Sequence, residues 1–412
     1  MLAYWWLLIR AAARNLSRNR RRTLLSSLAI ALGLAALIFT DGLIRGMVAD
    51  MVRLATDLML GHAQIHAEGF RQEMELERTV REGTTLLRHL EEHPSVAHVA
   101  PRVVAFGMIS SPSNVASVTV YGIDPRREPP LSQVDEAIIA GEYLVPHERG
   151  RVLLGQKLAE TLRVQVGDRI VLTAAQAETG ELAMSAYRVG GIFAFASREM
   201  NTTLVFLPLQ DAQELYGLGE RVHELAIRFW DIREADHLSG SFWSEFQTEG
   251  NELLNWRQLM PELNSTLAAV DVQMYIVGAI LFAIVAFGII NTLFMSLYER
   301  MFEFGVLRAI GTRPLQMAGM ILTEAGLLAV VSIVLGNLLG AAVTAAVAQI
   351  GLDYTGIEYV GITFHEPIRP VLAWSQFYRY PIWVFLFTLL AAIYPALYAA
   401  RLRPAKAMRR SL

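Results

Sequence analysis

The stretch Tyr298–Pro314, YERMFEFGVLRAIGTRP, decides how this chain is read. It lies between two long apolar runs, which makes it a short loop at a membrane surface. Its five charges are Glu299, Arg300, Glu303, Arg308 and Arg313. Around them stand Met301, Phe302, Phe304, Val306, Leu307 and Ile310, more apolar groups than a solvated turn needs. Arg300 and Glu303 are three apart and meet on one helical face. Gly311 followed by Pro314 reads as a helix stop and a restart. The pattern predicts a short amphipathic helix held at a membrane surface, a handle that a soluble partner can push. The plainer reading is a connector between two spans.

The runs on either side set the class. The 412-residue chain is 53% hydrophobic, with a mean hydropathy of +0.36, which points to a membrane protein. Val272–Tyr298 is charge-free over about 27 residues, or about 40 Å of helix. Pro314–Leu352 holds one charge, Glu324, and Tyr380–Ala400 holds none. A first span is expected at 23–45, with a charge-free core Thr23–Thr40 of about 27 Å. Ahead of it, residues 1–22 pair Trp5 and Trp6 with a run of arginines and suit an interfacial amphipathic helix. A signal peptide would start similarly, but FTDGLIRGM offers no small-x-small cleavage site. Basic residues crowd before span one, in loop 299–313 and in the tail 401–412, so the positive-inside rule puts these in the cytoplasm. Residues 46–271 and the loop 353–379 then lie outside.

Residues 46–271 change character, with frequent charges and short apolar runs. The expected elements begin with strand Met59–Ala67, helix Thr84–Glu92, strand Val96–Ile109 and strand Ser117–Ile123. Strand Arg151–Leu154, helix Gln156–Leu162, strand Asp168–Thr173 and strand Met184–Ala196 follow. The last are strand Thr203–Leu207, helix Leu209–Tyr216, strand His223–Phe229 and helix Ile232–Glu245. The fold class is therefore membrane α-helical, four spans arranged 1+3, with a large α+β domain between the first two. A porter-like lobe at 46–123 and 201–271 is expected to carry a β-rich insert at 124–200. The spans are expected at 23–45, 272–298, 314–352 and 380–400.

Chemistry is sparse. The chain has no cysteine, so no thiolate metal site or catalytic thiol exists. No P-loop, Gly-x-Ser-x-Gly, His-Glu-x-x-His or Gly-x-Gly-x-x-Gly occurs. No catalytic residue and no metal site is expected. His62 and His66 share a face of a strand but have no third ligand nearby. A net charge of −3 gives no basic field for nucleic acid. Within the spans, Asn291, Glu324, Gly336 and Gly340 are the candidates for helix packing. Gly336 and Gly340 form a GxxxG, either within the chain or between copies. Glu324 reads as a carboxylate reaching headgroup level, since no cationic partner is visible within a span. A coupling contact near the cytoplasmic surface is the alternative.

The combined pattern resembles the permease subunit of the MacB/LolC/LolE/FtsX class of ABC transporters, the type VII mechanotransmission permeases. The matching residues run from Ile289-Ile290-Asn291-Thr292-Leu293 through Glu299-Arg300 and Glu303–Gly311 to Glu324. They resume at Tyr394-Pro395-Ala396 and Ala399–Arg409. Val118–Ser132, Leu154–Ala159 and Val166-Gly167-Asp168 resemble the lipoprotein-releasing LolC/LolE branch, as does the architecture; the loop motif is nearer the MacB branch. The resemblance implies a bacterial inner-membrane subunit that binds no cofactor itself. ATP and Mg would sit on a cytoplasmic ABC ATPase dimer. The ATPase would grip Arg300, Phe302, Glu303, Phe304, Gly305, Val306, Leu307, Arg308, Ile310 and Gly311. Further implied partners are a second permease copy or paralogue, membrane lipids, and a periplasmic lipid or lipoprotein carrier or efflux adaptor. The implied function is release of lipoproteins or other amphiphiles towards the outer membrane. MacB-like efflux of a drug, peptide or toxin and FtsX-like regulation of a cell-wall hydrolase are the alternatives.

Overall fold

The computed structural model describes residues 20–237, 240–356, 358–359, 362–363 and 367–401, with Trp6, Arg10, residues 12–15 and Ser17. Most of the expected interfacial helix 1–22 and of the tail 401–412 lies outside them. The main helices in chain order are α1 Arg20–Ala55, α2 Gly83–Glu92, α3 Gln156–Leu162, α4 Leu209–Tyr216, α5 Pro261–Glu299, α6 Met301–Ala309, α7 Pro314–Ile350 and α8 Gln376–Ala400. The strands of the large sheet are β1 Ala63–Ala67, β2 Val96–Ser110, β3 Val115–Ile123, β4 Ile138–Gly141, β5 Arg151–Gly155, β6 Arg169–Ala175, β7 Leu182–Phe193, β8 Leu204–Pro208, β9 Glu224–Phe229 and β10 Asn251–Asn255. Two compact units result: Met1–Ala49, Leu267–Asp353 and Glu366–Leu412 form one; Asp50–Thr266 and Tyr354–His365 form the other.

In the α+β unit the strand order is β10-β1-β9-β2-β3-β8-β5-β7-β4, with β6 paired to β2 and β7. The long β2 organises it. Its first half pairs with β9 and its end, Met108–Ser110, with β6. On the other edge it pairs with β3 along nine residues. β5 pairs with β8 and β6 with β2, so the expected porter lobe and β-rich insert share one hydrogen-bonded sheet. Their apolar residues also share one core. Val103, Val120, Leu154, Leu172 and Val205 of the strands pack with Leu158, Leu162, Leu215 and Tyr216 of α3 and α4. Burying each such side chain is worth about 1.5–3 kcal/mol. Gly122 is where α4 lies on β3, since a Cβ there would meet the Ala212 Cβ at 2.3 Å.

Two expected elements differ, and two strands were not foreseen. The strand expected from Met59 begins at Ala63, because Thr56–Leu60 forms a π-helical turn. Leu58 and Met59 there bury against Phe193 and Phe206, which an apolar run satisfies in either conformation. The helix expected over Ile232–Glu245 is a 3₁₀ turn, Ile232–Asp236, and a short helix Ser241–Phe246 with Gly240 before it. β4 and β10 were not expected: the first is short and largely exposed, and the second, NELLN, is half polar.

The unit buries an ion cluster. Arg102, wholly buried, donates to both Glu128 oxygens at 3.0 and 2.6 Å and to Glu224 Oε1 at 2.6 Å. Its Nη1 also donates to the Met59 carbonyl at 2.6 Å, tying the π-helical turn to the sheet. Gly61, at φ 68°, ends that turn where a Cβ would meet the Ile227 carbonyl at 2.8 Å.

Helices α1, α5, α7 and α8 are each long and apolar enough to cross a membrane. Helix α5 starts eleven residues before the charge-free run because nothing after Pro261 stops it; hydropathy marks the membrane part and not the helix. Ile30, Leu34 and Ile38 of α1 form the bundle core with Val285, Ile289, Leu328 and Val384. The GxxxG acts within the chain. A Cβ on Gly336 would meet Leu34 at 2.9 Å, and one on Gly340 would meet Ile38 at 3.0 Å. Glycine there lets α7 approach α1.

His62 and His66 are structural. Burial first, then Arg228, lowers the His62 pKa to about 4. Burial and then Arg71 lower that of His66 to about 3. Phe70 stacks between His66 and His223, with ring centroids at 5.6 and 4.9 Å. No cluster of metal-ligating residues occurs among the described residues. Below its ordinary pKa of 6.5 an unfolded histidine takes up a proton that the folded one refuses. Their stabilising contribution is whole above pH 6.5 and is lost progressively as pH falls, towards about 4 for His62 and about 3 for His66. Thermal unfolding of the detergent-solubilised chain is expected to weaken over that window. A His62→Gln/His66→Gln variant is expected to show a shallower pH slope; an unchanged slope contradicts the assignment.

Candidate functional site at the turn between α5 and α7

Helix α5 ends at Arg300, whose φ of −107° and ψ of 15° break the helical path and start α6. The side chain of Arg300 joins three elements. Its Nε donates to Glu303 Oε2 at 3.0 Å and its Nη1 to Glu324 Oε2 at 3.1 Å. Its guanidinium also lies 5.0 Å from the centroid of the Phe304 ring. Ser296 Oγ reaches Glu324 Oε1 at 3.5 Å. Arg300 and Glu324 are largely covered, with side-chain exposures of 10% and 12%. This corrects the expectation that Glu324 has no cation and reaches headgroup level alone. The partner was missed because it stands outside both spans, at the turn, and only the fold brings it to Glu324.

Below that cluster, Phe304 packs with Leu297, Met317, Ile321 and Ala399, and with half-buried Leu307. Gly305 is buried on the same side. Phe302, Val306 and Ile310 are exposed, at 50%, 38% and 76%. Helix α6 therefore has an anchored face and an open apolar face. Arg308 donates from Nη1 to the Thr312 carbonyl at 3.1 Å, closing the turn. Gly311, at φ 102°, permits it, and Arg313 with Pro314 opens α7 in a capping box with Gln316. Of the candidates for helix packing, Glu324, Gly336 and Gly340 meet neighbouring elements; Asn291 is exposed on α5.

A second polar constellation was missed. Asp41 of α1, nearly buried, accepts from Arg45 Nε at 2.6 Å, Gln376 Nε2 at 2.7 Å and Tyr380 OH at 2.9 Å. The Val371 N–H donates to the Gly42 carbonyl at 2.9 Å. The segment before α8 is thus stitched to α1. In the sequence its only signal is an acid, Asp41, at the end of the first apolar run.

The α+β unit adds an exposed apolar sheet face. Met108 of β2 pairs with Thr173 of β6, which pairs with Met184 of β7. Two residues along on the same face are Phe106 and Leu182, the latter opposite Ala175. Phe106, Met108, Leu182 and Met184 are 63%, 51%, 70% and 70% exposed. Arg169 and Arg188 pair at the other end of the same face. An uncovered apolar patch of this kind marks an interaction surface.

A four-span bundle with an α+β domain after its first span defines a multi-pass membrane protein with a large inserted domain. Residues 23–236 match the MacB-like periplasmic core domain and residues 275–404 the FtsX-like permease C-terminal domain. The chain belongs to this MacB-like and FtsX-like family of ABC-transporter permeases. Membership makes it a transport subunit and implies a separate ATPase partner. It is 25% identical over 301 residues to the lipoprotein-releasing system transmembrane protein LolC of Neisseria meningitidis, covering 71% of this chain and 69% of that one. It is 22% identical over 400 residues to LolE of Haemophilus influenzae, covering 93% of each. The periplasmic region of MacB from Actinobacillus actinomycetemcomitans aligns with a TM-score of 0.35 at 11% identity, over 52% of this chain and 94% of that one.

Truncating one partner of a covered ion pair strands the other, at a cost of about 3–5 kcal/mol. Glu324→Leu and Arg300→Met are each expected to destabilise the bundle by that order. The double variant is expected to recover most of the loss in a thermal unfolding cycle. Additive losses contradict the pairing.

Proposed function

We propose that this chain is the permease subunit of an inner-membrane ABC transporter that passes ATP-driven motion to its α+β domain to release lipoproteins or other amphiphiles towards the outer membrane. The observation that carries the reading is the two-sided α6. Its inner face is fixed by the Arg300, Glu303 and Glu324 cluster and by Phe304. Phe302, Val306 and Ile310 stay open for a partner. A helix that is pinned to two spans and open on one side transfers a push to both. A cytoplasmic ATPase dimer carrying ATP and Mg is the partner for that face. The arginine distribution supports termini and α6 on the cytoplasmic side.

On the other side of the membrane, the Phe106, Met108, Leu182 and Met184 face favours handing cargo to a soluble carrier. Its Arg169 and Arg188 edge would meet acidic groups on that carrier. The similarity to LolC and LolE supports lipoproteins as the cargo class. Efflux of a peptide or drug, or regulation of a wall hydrolase, are the outcomes to be set against it.

With the cognate ATPase co-purified, Val306→Asp is expected to lower stimulated ATP hydrolysis at least tenfold while the permease stays in the membrane. Hydrolysis at the unaltered rate rejects α6 as the coupling helix. Depletion of the chain is expected to leave lipoproteins in the inner membrane. A wall or division defect without mislocalised lipoproteins favours the regulatory reading.

A further inference from the structure

Helices α7 and α8 run antiparallel and leave a groove of about 780 Å³ between them. Gly319, Gly326 and Val330 of α7 line one wall; Trp383, Leu390 and Ile393 of α8 line the other. Thr323 also lines it, but its hydroxyl donates to the Gly319 carbonyl at 2.7 Å and offers no free donor. Two glycines open the space. A Cβ on Gly326 would meet only Leu389 and Phe385, at 3.8 and 3.9 Å, and one on Gly319 would meet nothing within 4 Å. Gly336 and Gly340, by contrast, are filled by α1. From Gly319 to Val330 the groove runs about 16 Å, close to one leaflet of a hydrocarbon core about 30 Å thick.

Charge collects at one end of it. Leu390, Ile393, Leu397 and Arg401 recur every three or four residues, so the α8 wall leads along one face to an arginine. Arg401 lies about 12 Å beyond Ile393, and Arg313, just ahead of α7, about 9 Å before Gly319. Both are exposed, and neither forms an ion pair with a described residue. The one acid of α7, Glu324, is taken up by Arg300, and α8 has none. Arg379 stands alone beyond the other end, whereas past Arg401 the sequence continues with Arg403, Lys406, Arg409 and Arg410. An apolar slot between spans with a basic mouth fits a lipid: the slot takes an acyl chain and the mouth a phosphate.

We propose that the α7–α8 groove binds an anionic phospholipid of the cytoplasmic leaflet, with one acyl chain between the two helices and the phosphate between Arg313 and Arg401. The slot and its mouth belong to the bundle alone. The choice of leaflet rests on the orientation proposed above. The lipid is a bound ligand of the permease and distinct from its cargo.

Native mass spectrometry of the full chain in detergent, with phosphatidylglycerol or phosphatidylcholine of the same acyl chains, tests it. Phosphatidylglycerol is expected to be retained at least fivefold better. Arg313→Gln/Arg401→Gln is expected to abolish that preference and Arg379→Gln to leave it unchanged; the reverse pattern overturns the assignment to this end of the groove. Gly326→Leu is expected to lower retention of both lipids several-fold, and unaltered retention overturns the groove as the site. On the unaltered chain, phosphatidylglycerol with a photoreactive acyl chain is expected to mark residues 319–330 and 383–393; marks confined to α1 or α5 overturn it without any variant. A triacylated lipopeptide at equal concentration is expected to leave the bound lipid in place, and displacement would make the groove a cargo site instead. The headgroup preference is read in detergent without the ATPase, so its failure leaves the coupling reading of α6 standing.

Discussion

The guanidinium of Arg300 joins the end of one span, the short helix that follows and the body of the next. A charge held this close to hydrocarbon persists only when its partners are fixed around it. Glu303 and Glu324 supply two acceptors, and the Phe304 ring covers a further side. Because Glu324 lies within α7 and Arg300 ends α5, the short helix between them cannot shift without disturbing both. Much of what α6 can do mechanically follows from that constraint. Its apolar inner face deepens the anchor, and its outer face is left for other work.

The α+β unit is tied to its helical entry in a comparable way. Arg102 holds the Met59 carbonyl while engaging Glu128 and Glu224, and Asp57 meets Arg228 at 3.0 Å. β1 follows this entry and β10 precedes the segment leading to α5. The two strands pair directly, Ala63 opposite Asn255. Both chain connections of the unit therefore emerge side by side from one edge of the sheet. Displacement of either is felt by the same two strands. In each unit a buried arginine with two glutamates joins a helix to the element it packs against.

The spans, the inserted domain and the amphipathic turn were legible from composition because the hydrocarbon core imposes length and polarity rules that sequence displays directly. The long strands β2, β3 and β7 were legible from their apolar runs. What escaped had one cause: partners distant in sequence. Glu324 looked unpaired because Arg300 is 24 residues away, and Asp41 drew no reading because Gln376 and Tyr380 are more than 330 away. The single sheet through both expected lobes depends on the pairing of β5 with β8 and β6 with β2, which no local pattern encodes. The apolar sheet face was hidden because Phe106 and Met184 read as ordinary strand residues until the register put them together on the exposed side.

The proposed function requires α6 and the α+β domain to face opposite sides of one membrane, so that force applied at the first reaches the second. Single cysteines at Val306→Cys and Asp168→Cys, probed with a membrane-impermeant maleimide in intact and permeabilised spheroplasts, test it directly. The account predicts labelling of the Asp168 position in intact spheroplasts and of the Val306 position only after permeabilisation. Labelling of both positions from the same side would contradict it.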